Sequence, residues 1–311
     1  MGHPRPFRFG ISAISHLSSG AWRELARKTE DLGYSTLLGA DHFNNQMAPL
    51  PSLAIAAEAT TTLRVGTLVL CNDFKHPVML AKELATLDVL TDGRVEWGMG
   101  AGWLPSDFET SGIPMDPPGT RVARLDEAIT VMKHLFGDGP TTFEGEHYQV
   151  RGLDGTPKPL QRPYPPLLIG GAGDRLLGIA ARRATIVGVA PSILTAPLWG
   201  AKRVMPAAAA DHQLARVRSA AGERYAKLEI SMVPTSLVVT DKREQTLAGV
   251  ATMIELPTEA VVESPYHLIG SIDALAEALE ERRERWDVSY WTFPAAAVED
   301  AAPLVARLAG H

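Results

Sequence analysis

The sequence predicts a (β/α)8 TIM barrel of the α/β class, with insertions at the carboxyl-terminal rim of its strands. Short apolar strand patterns alternate with helix patterns along nearly all of the 311 residues. About eight strand patterns occur, each followed by a helical one. The rival class, a doubly wound sheet, usually has a glycine-rich turn after its first strand, whereas residues 12–17 read SAISHL. We therefore expect one barrel domain over residues 1–311.

The strands are predicted from short apolar runs between turn residues. The run over 64–70 is an example, because it contains Val65, Leu68, Val69 and Leu70. In chain order, the predicted strands cover residues 7–13, 36–40, 64–70, 95–99, 167–170, 186–189, 228–240 and 288–293, and residues 143–150 alternate like one arm of a hairpin.

The helices are predicted from apolar residues at helical spacing and from start and stop residues. Pro77 lies in the first turn of one helix, where proline is tolerated, and Asp92-Gly93 ends it. In chain order, the predicted helices cover residues 20–32, 51–60, 77–90, 120–136, 175–183, 213–222, a stretch beginning near 242, 272–285 and 298–308. Residues 101–119 and 191–210 are predicted to be irregular.

The composition limits the classes of function. Hydrophobic residues make up 45% and charged residues 21%, as in an average globular protein. The net charge is −6 and no basic run stands out, which argues against nucleic acid or an anionic membrane as a partner. The single cysteine, Cys71, favours a reducing compartment. The first ten residues lack the apolar core of a signal peptide, and no apolar run approaches a membrane span. We expect a cytoplasmic protein.

Polar and glycine-rich clusters follow four of the predicted strands. The carboxyl ends of barrel strands form the rim that carries the active site of this fold, so we expect these clusters to converge. They are Asp41-His42, Cys71-Asn72-Asp73, Gly100-Ala101-Gly102-Trp103 and Gly170-Gly171-Ala172-Gly173.

His42 is the main candidate for proton transfer. An imidazole can act as a general acid or base, can donate to a cofactor ring, or can be a satisfied rim histidine. Its neighbour Asp41, at a strand end, favours a functional role. His16 follows the first strand and faces the same rim, and the remaining histidines show no metal-ligand spacing. For Cys71 we favour a buried small hydrophobe over a catalytic thiol.

The glycines at 170–173 predict an anion site. Glycines between a strand and a helix let backbone N–H groups approach an anion, and the helix starting near Asp174 directs its positive end there. A phosphate is expected, with Arg175 assisting, and a tight turn without ligand is the alternative. GMGAG at 98–102 lacks dinucleotide-binding spacing. No G-x-S-x-G elbow is present, while a glycosidase pair of carboxylates stays open on pattern alone.

Five stretches resemble the luciferase-like monooxygenase superfamily, and within it the branch that uses the deazaflavin coenzyme F-420. They indicate the superfamily more specifically than the cofactor, because FMN-using relatives share most of this framework. The stretches are GYSTLLGADHF (33–43), LRVGTLVLCNDFKHPVMLAKELATLDVLTDGRVEWGMGAGW (63–103), RVARLDEAITVMKHLF (121–136), PKPLQRPYPPLLIGGAGDRLLGIAARRA (157–184) and SPYHLIGSIDALAEALEERRERWDVSY (264–290).

The resemblance implies a role for each cluster. Asp41 and His42 match the acidic residue and histidine beside the reacting ring, so both are expected to be catalytic and Asp41 also to bind the coenzyme. His42 would hydrogen-bond near C5 of the ring or to the substrate and shuttle a proton. Cys71-Asn72 matches the place where relatives carry a bulge with a non-proline cis peptide behind the ring. The other expectations are Ala101 and Gly102 at the coenzyme, Gly170, Gly171, Ala172 and Gly173 around its phosphate, His16 and Trp103 in the substrate pocket, and Trp97 near the ring.

Two departures from the family pattern bear on the substrate. Sugar-phosphate dehydrogenases of the superfamily carry a glutamate where this chain has Trp103. That proton donor is missing, so this substrate class is not expected, and Trp103 would instead wall an apolar pocket. Ala184-Thr185 replaces a common Ala-Asp pair, and that aspartate is expected to be structural.

The predicted function is an F-420-dependent oxidoreductase that transfers a hydride between deazaflavin C5 and an unidentified small organic substrate. The alternative is an FMNH2-dependent monooxygenase supplied by a separate flavin reductase. A barrel that binds a flavin-type coenzyme without catalysis is a further alternative. Family members are often dimers, so a homodimer is expected, with the helices over 51–60 and 77–90 as its surface.

Overall fold

Strands and helices alternate along the residues that the computed structural model describes, which are 5–191 and 206–311. The strands are β1 (Arg8–Ala13), β2 (Thr36–Gly39), β3 (Arg64–Thr67), β4 (Leu70–Cys71), β5 (Val95–Gly100), β6 (Thr141–Glu144), β7 (Gln149–Leu153), β8 (Leu167–Gly171), β9 (Ile186–Val189), β10 (Glu229–Met232), β11 (Ser236–Val239), β12 (His267–Gly270) and β13 (Val288–Pro294). The helices are α1 (Ser19–Asp31), α2 (Pro49–Glu58), α3 (Pro77–Leu90), α4 (Pro105–Ser111), α5 (Pro118–Phe136), α6 (Asp174–Arg183), α7 (Ala207–Ala221), α8 (Arg243–Met253), α9 (Thr258–Glu263), α10 (Ile272–Trp286) and α11 (Ala302–Leu308).

The chain divides into two compact units. The first unit comprises Met1–Ser12, Lys28–Ser35 and Gly170–His311, and the second comprises Ala13–Arg27 and Thr36–Ile169. Within the described helices of both units, none combines the length and the apolar character that a membrane crossing requires.

In the second unit, β2, β3, β5 and β8 pair in parallel in that order. Leu37 lies opposite Val65, and Trp97 lies opposite Leu167. The short strand β4 continues beyond β3 and pairs with the end of β5, where Cys71 lies opposite Gly100. The residues that follow β2, β4 and β5 therefore leave the sheet at the same edge, as the rim argument requires.

In the first unit, β1 pairs with β13, β13 with β10, and β10 with β9, again in parallel. The strand order and the parallel pairing of β1, β2, β3, β5, β8, β9, β10 and β13 are those of a (β/α)8 TIM barrel, so the predicted fold class is confirmed. All six residues of β5 are buried, because strands of a parallel sheet are covered on both faces.

Gly98 allows β3 and β5 to approach closely. A Cβ at this position would lie 2.1 Å from the carbonyl oxygen of Thr67. The Thr67 hydroxyl also bridges to Gly98, accepting from its N–H at 2.8 Å and donating to its carbonyl oxygen at 2.9 Å. The close approach thus depends on a residue without a side chain, and it lies just before the polar clusters.

The prediction of one strand over 228–240 is wrong. The run contains two strands, β10 and β11, and Pro234 lies between them, where its missing N–H ends the ladder. β11 pairs in parallel with β12 in a separate two-stranded sheet. Neither β12 nor α9 was predicted, because four- and six-residue elements show too little periodicity.

The two stretches predicted to be irregular contain helices. Residues 101–119 include α4, which begins with Pro105 in its first turn. In the stretch 191–210, α7 begins at Ala207, before the predicted start at residue 213. Residues 192–205 of that predicted loop lie outside the described residues.

Candidate active site

Asp41 joins the ends of two neighbouring strands of the second unit. It follows β2, and its Oδ2 accepts a hydrogen bond from the backbone N–H of Cys71 at 3.1 Å. Burial raises the pKa of the Asp41 carboxyl above its usual value, and the Cys71 hydrogen bond opposes that rise. The hydrogen bond from Cys71 holds the Asp41 carboxyl at a fixed place, from which it can bind a further polar group.

His42 pairs with an aspartate that is distant in the sequence. Its Nδ1 lies 2.6 Å from Oδ2 of Asp107, and Oδ1 of Asp107 accepts from the backbone N–H of Phe43 at 3.3 Å. An ionised carboxylate only accepts hydrogen bonds, so Nδ1 carries the hydrogen in this pair. The other nitrogen, Nε2, is then the one that can accept a hydrogen bond or a proton.

Asp107 is the partner of His42 that sequence reasoning missed. It lies in α4, inside the segment predicted to be irregular, and it is buried. A usable signal was present, because proline in a first helical turn followed two residues later by an acidic residue is typical of a helix start.

Cys71 is a buried thiol. Burial raises its pKa to about 12, so the thiolate that a nucleophile needs does not form near neutral pH. This confirms the interpretation of Cys71 as a small hydrophobic residue. Its Sγ packs beside Gly102, and its backbone N–H donates to Asp41.

Asn72 has an unused acceptor. The side chain is 1% exposed, and its Nδ2 donates to the hydroxyl of Tyr148 and to Oδ1 of Asp73, both at 3.2 Å. Because Asp73 can only accept, the amide orientation is determined by this contact. Within the described residues, the Asn72 Oδ1 is buried and has no hydrogen-bond partner. It suits a ligand that presents an N–H group.

The non-proline cis peptide lies three residues before the expected place. It joins Leu68 and Val69, whereas residues 71 and 72 are joined in trans. The prediction of the bulge at Cys71-Asn72 is therefore corrected to the junction between β3 and β4. The sequence concealed this position because the apolar run over 64–70 contains no turn residue at which an interruption could be recognised.

Gly102 forms a close contact at the end of β5. Its φ is +75°, and a Cβ there would lie 2.7 Å from the Phe108 ring and 2.8 Å from Sγ of Cys71. Ala101, directly before it, is buried. The predicted pair Ala101-Gly102 thus lies beside Cys71, and glycine is required at the second position by both its backbone angle and its neighbours.

The two predicted pocket residues differ in their surroundings. Trp103 is 36% exposed, and its ring meets the His42 ring edge to face at 5.7 Å. His16 is exposed, and only its backbone N–H reaches the segment after His42, at the carbonyl oxygen of Asn45 at 3.1 Å. Trp103 is thus beside the proposed acid–base residue, while a substrate contact of His16 stays a prediction.

Trp97 lies away from these residues, which corrects the expectation that it is near the ring. It is fully buried, its Nε1 donates to the carbonyl oxygen of Pro165 at 2.8 Å, and its ring packs against Phe136 of α5. Side chains alternate in direction along a strand, and Trp97 points from β5 toward the surrounding helix.

The glycine cluster of the first unit connects β8 to α6. Gly173 caps the N-terminus of α6, and a Cβ there would meet nothing within 4 Å. Gln213 of α7 donates to the carbonyl oxygen of Ala172 at 2.9 Å and holds the turn. The first helical residue, Asp174, lies within 3.3 Å of His212. Open space at a helix N-terminus is what an anion requires.

Comparison with known proteins gives consistent results. The family model described as luciferase-like monooxygenase matches residues 7–310. An F-420-dependent glucose-6-phosphate dehydrogenase of Microbacterium testaceum is 31% identical over 206 residues, 62% of this chain and 60% of that protein. An FMNH2-dependent dimethylsulfone monooxygenase of Pseudomonas putida is 30% identical over 166 residues, 51% of this chain and 46% of that protein. The chain thus spans about half the length of these curated relatives, 60% and 46%.

Among solved structures, the coenzyme F-420-dependent tetrahydromethanopterin reductase of Methanopyrus kandleri superposes with a TM-score of 0.79. The match covers 98% of this chain and 99% of that one at 18% identity. At this identity the similarity bears on the fold, and it agrees with the strand order described above.

Proposed function

Because the chain belongs to the luciferase-like monooxygenase family, we propose that it is an oxidoreductase that binds coenzyme F-420 and acts on a small organic substrate. The hydride would pass between the substrate and C5 of the deazaflavin. The observation that carries this proposal is the pair of His42 and Asp107, with Nε2 of His42 left as the basic nitrogen beside Trp103.

The residues of the second unit fit a deazaflavin ring. Such a ring presents N–H groups and carbonyl oxygens along one edge, and it supplies hydride chemistry when bound. Asn72 has a buried acceptor for an N–H group, and Asp41 offers a carboxyl. Gly102 has no Cβ that would project into this region. These three residues would hold the ring.

His42 is proposed to move the proton that accompanies the hydride. When an alcohol is oxidised to a carbonyl compound, a proton leaves its oxygen together with the hydride from its carbon. Nε2 of His42 would accept that proton, or donate it in the reverse reaction. Asp107 would hold the imidazole in the required tautomer, since its Oδ2 lies 2.6 Å from Nδ1.

The glycine cluster of the first unit is proposed to bind a phosphate of the coenzyme. The backbone N–H groups of Gly171, Ala172 and Gly173 are the proposed donors, supported by the N-terminus of α6. The open space at Gly173 supports this assignment, and Arg175 in the first turn of α6 would add charge.

The alternative is an FMNH2-dependent monooxygenase, which the similarity to the Pseudomonas putida protein favours. Reduced flavin would then come from a separate reductase, and His42 would donate a proton during an oxygen-dependent reaction.

The cofactor can be decided by titration. We expect oxidised F-420 to quench tryptophan fluorescence with micromolar affinity and FMN to bind more weakly. Trp103 is half-exposed beside His42, so the quenching should be reduced in Trp103→Phe. Free tryptophan serves as the control for light absorption by the ligand. Preferential FMN binding would support the monooxygenase, and binding of neither would overturn both assignments.

A homodimer is proposed through α2 and α3 of the second unit. Apolar side chains of these helices are exposed, namely Ile55, Met79 and Leu90, and contiguous apolar surface is typical of an interface. Sedimentation equilibrium should give twice the monomer mass of 33.5 kDa, and Met79→Lys combined with Leu90→Lys should shift the species toward the monomer. A single 33.5 kDa species in the unmodified protein would contradict the proposal.

A further inference from the structure

Arg121 is a buried cation that has no anionic partner among the described residues. It lies in the first turns of α5 and is 6% exposed. Within residues 5–191 and 206–311, no carboxylate or carbonyl oxygen accepts a hydrogen bond from its side chain, and its Nε is buried without a partner. The remaining residues, 1–4 and 192–205, include neither aspartate nor glutamate.

Two other buried or half-buried arginines have hydrogen-bond acceptors, whereas the half-buried Arg5 also has an Nε without a partner and donates from its other end to the carbonyl oxygen of Lys227. Arg124, one helical turn after Arg121, donates to Asp73 at 2.8 Å and also contacts Asp116. Arg282, 9% exposed, donates to the carbonyl oxygens of Pro265 at 3.0 Å and of Ala278 at 2.9 Å. Arg282 thus has carbonyl acceptors without a carboxylate, while Arg121 has no acceptor of either kind among the described residues. Burying a charged group without hydrogen-bond partners is costly.

Arg121 lies close to Cys71, Gly102 and Phe108. Its guanidinium lies 5.7 Å from the centroid of the Phe108 ring. That same ring would be the nearest group, at 2.7 Å, to a Cβ at Gly102. The charge of Arg121 also acts on the Cys71 thiol, where it favours the ionised form although burial outweighs it. The unpaired cation is therefore next to the residues proposed to border the ring.

We propose that Arg121 binds an anionic oxygen group, a carboxylate or a phosphate, of a ligand that lies beside Cys71, Gly102 and Phe108. A guanidinium presents a planar fork of N–H donors that matches such a group in two parallel hydrogen bonds. The face of the Phe108 ring holds the cation in place without consuming its donors. The inference rests on the proposed function in one respect, since the anion belongs to the coenzyme or to the substrate of this site.

The free protein provides the first test. Thermal unfolding is measured in chloride and in inorganic phosphate at equal ionic strength, for the unmodified protein, Arg121→Met and Arg124→Met. We expect Arg121→Met to unfold at the same temperature or higher in chloride, because it removes an unpaired buried charge. We also expect the stabilisation by phosphate to be smaller in Arg121→Met than in the unmodified protein, with the remainder coming from the phosphate site proposed at Gly171, Ala172 and Gly173. Arg124→Met should unfold at a lower temperature in both buffers and keep its response to phosphate, since the buried Asp73 carboxylate loses its cationic partner.

The source of the anion is decided by coenzyme binding. F-420 and its phosphate-free deazaflavin chromophore are titrated into the unmodified protein, Arg121→Met and Arg121→Lys. A loss of tenfold or more for F-420 alone, partly restored by Arg121→Lys, assigns the anion to the coenzyme. Unchanged affinities together with a smaller phosphate response assign it to the substrate.

Two further outcomes separate the two proposals. A phosphate response and coenzyme affinities that are the same in Arg121→Met as in the unmodified protein overturn the inference. So does a large loss of stability in Arg121→Met with unchanged ligand binding, which would show a packing role. If no variant binds a deazaflavin or FMN but the phosphate response still depends on Arg121, the anion site stands and the proposed cofactor fails.

Discussion

Replacing His42 with alanine is expected to lower the turnover of the coenzyme-loaded protein by about 10²–10⁴-fold, the usual contribution of a positioned general acid or base. The unfolding temperature should also fall, because the buried carboxylate of Asp107 loses its partner and keeps only the N–H of Phe43 as a donor. The measurement is the rate of coenzyme reduction or oxidation with a panel of alcohols and carbonyl compounds.

Asp107→Asn is the companion variant. The amide has the size of the carboxylate but no charge, so it should weaken the preference for hydrogen on Nδ1 of His42 and give a smaller loss of turnover than His42→Ala. Nitrogen NMR of the imidazole reports the tautomer directly: hydrogen on Nδ1 in the unmodified protein, and a mixture in Asp107→Asn.

The matched control for the histidine is His134→Ala. His134 is an exposed histidine on α5, and its replacement should leave turnover unchanged. A His42→Ala protein that turns over within about threefold of the unmodified one would sit below the range of acid–base contributions, and His42 would then be a rim histidine without a chemical role.

Gly102→Ala is expected to cost stability and coenzyme binding together. The left-handed backbone angle of +75° costs a residue with a Cβ about 1–2 kcal/mol. The contacts with Phe108 and Cys71, at 2.7 and 2.8 Å from that Cβ, add about 1–3 kcal/mol of overpacking. Affinity for F-420 should fall at least tenfold, because Phe108 and Cys71 must move away from the new Cβ and both border the proposed ring site.

Gly112→Ala separates the two contributions. Gly112 has a φ of +74°, but a Cβ there would meet nothing within 4 Å. This variant should lose only the backbone term, about 1–2 kcal/mol, and keep its coenzyme affinity. Urea unfolding gives both free energies. Equal losses for the two variants would show that the Phe108 and Cys71 contacts relax at no cost, and the tight wall at Gly102 would be disproved.

The local parts of the fold were predictable because their determinants are local. Pro77 and the turn at Asp92-Gly93 delimit α3, and the prediction of 77–90 agrees with the structure at both ends. β12 and α9 escaped prediction because four or six residues cannot establish a period. The break in the run over 228–240 was visible as Pro234, but its consequence, a second small sheet, depends on a partner strand about thirty residues later.

The rim residues were predictable for a topological reason. Carboxyl ends of parallel strands meet at one edge, so Asp41, Asn72 and Gly102 were placed near one another within the second unit before any distance was known. The direction of each side chain was not predictable in this way. Trp97 and Trp103 are six residues apart, yet only Trp103 contacts His42. Trp97 lies within β5 and packs against Phe136 of α5, whereas Trp103 lies beyond the end of that strand.

The amino-acid order alone therefore established the barrel class and the family, together with most of the residues at the rim, because strand pattern and glycine placement are properties of short segments. Only the folded chain shows the pairing of His42 with Asp107, and the lack of an acceptor for Arg121 within the part of the chain that the structure describes. Both depend on how helices distant in the sequence are placed, α4 for Asp107 and the first turns of α5 for Arg121. Contacts between residues far apart in the sequence are determined by packing, and a local sequence pattern does not predict them.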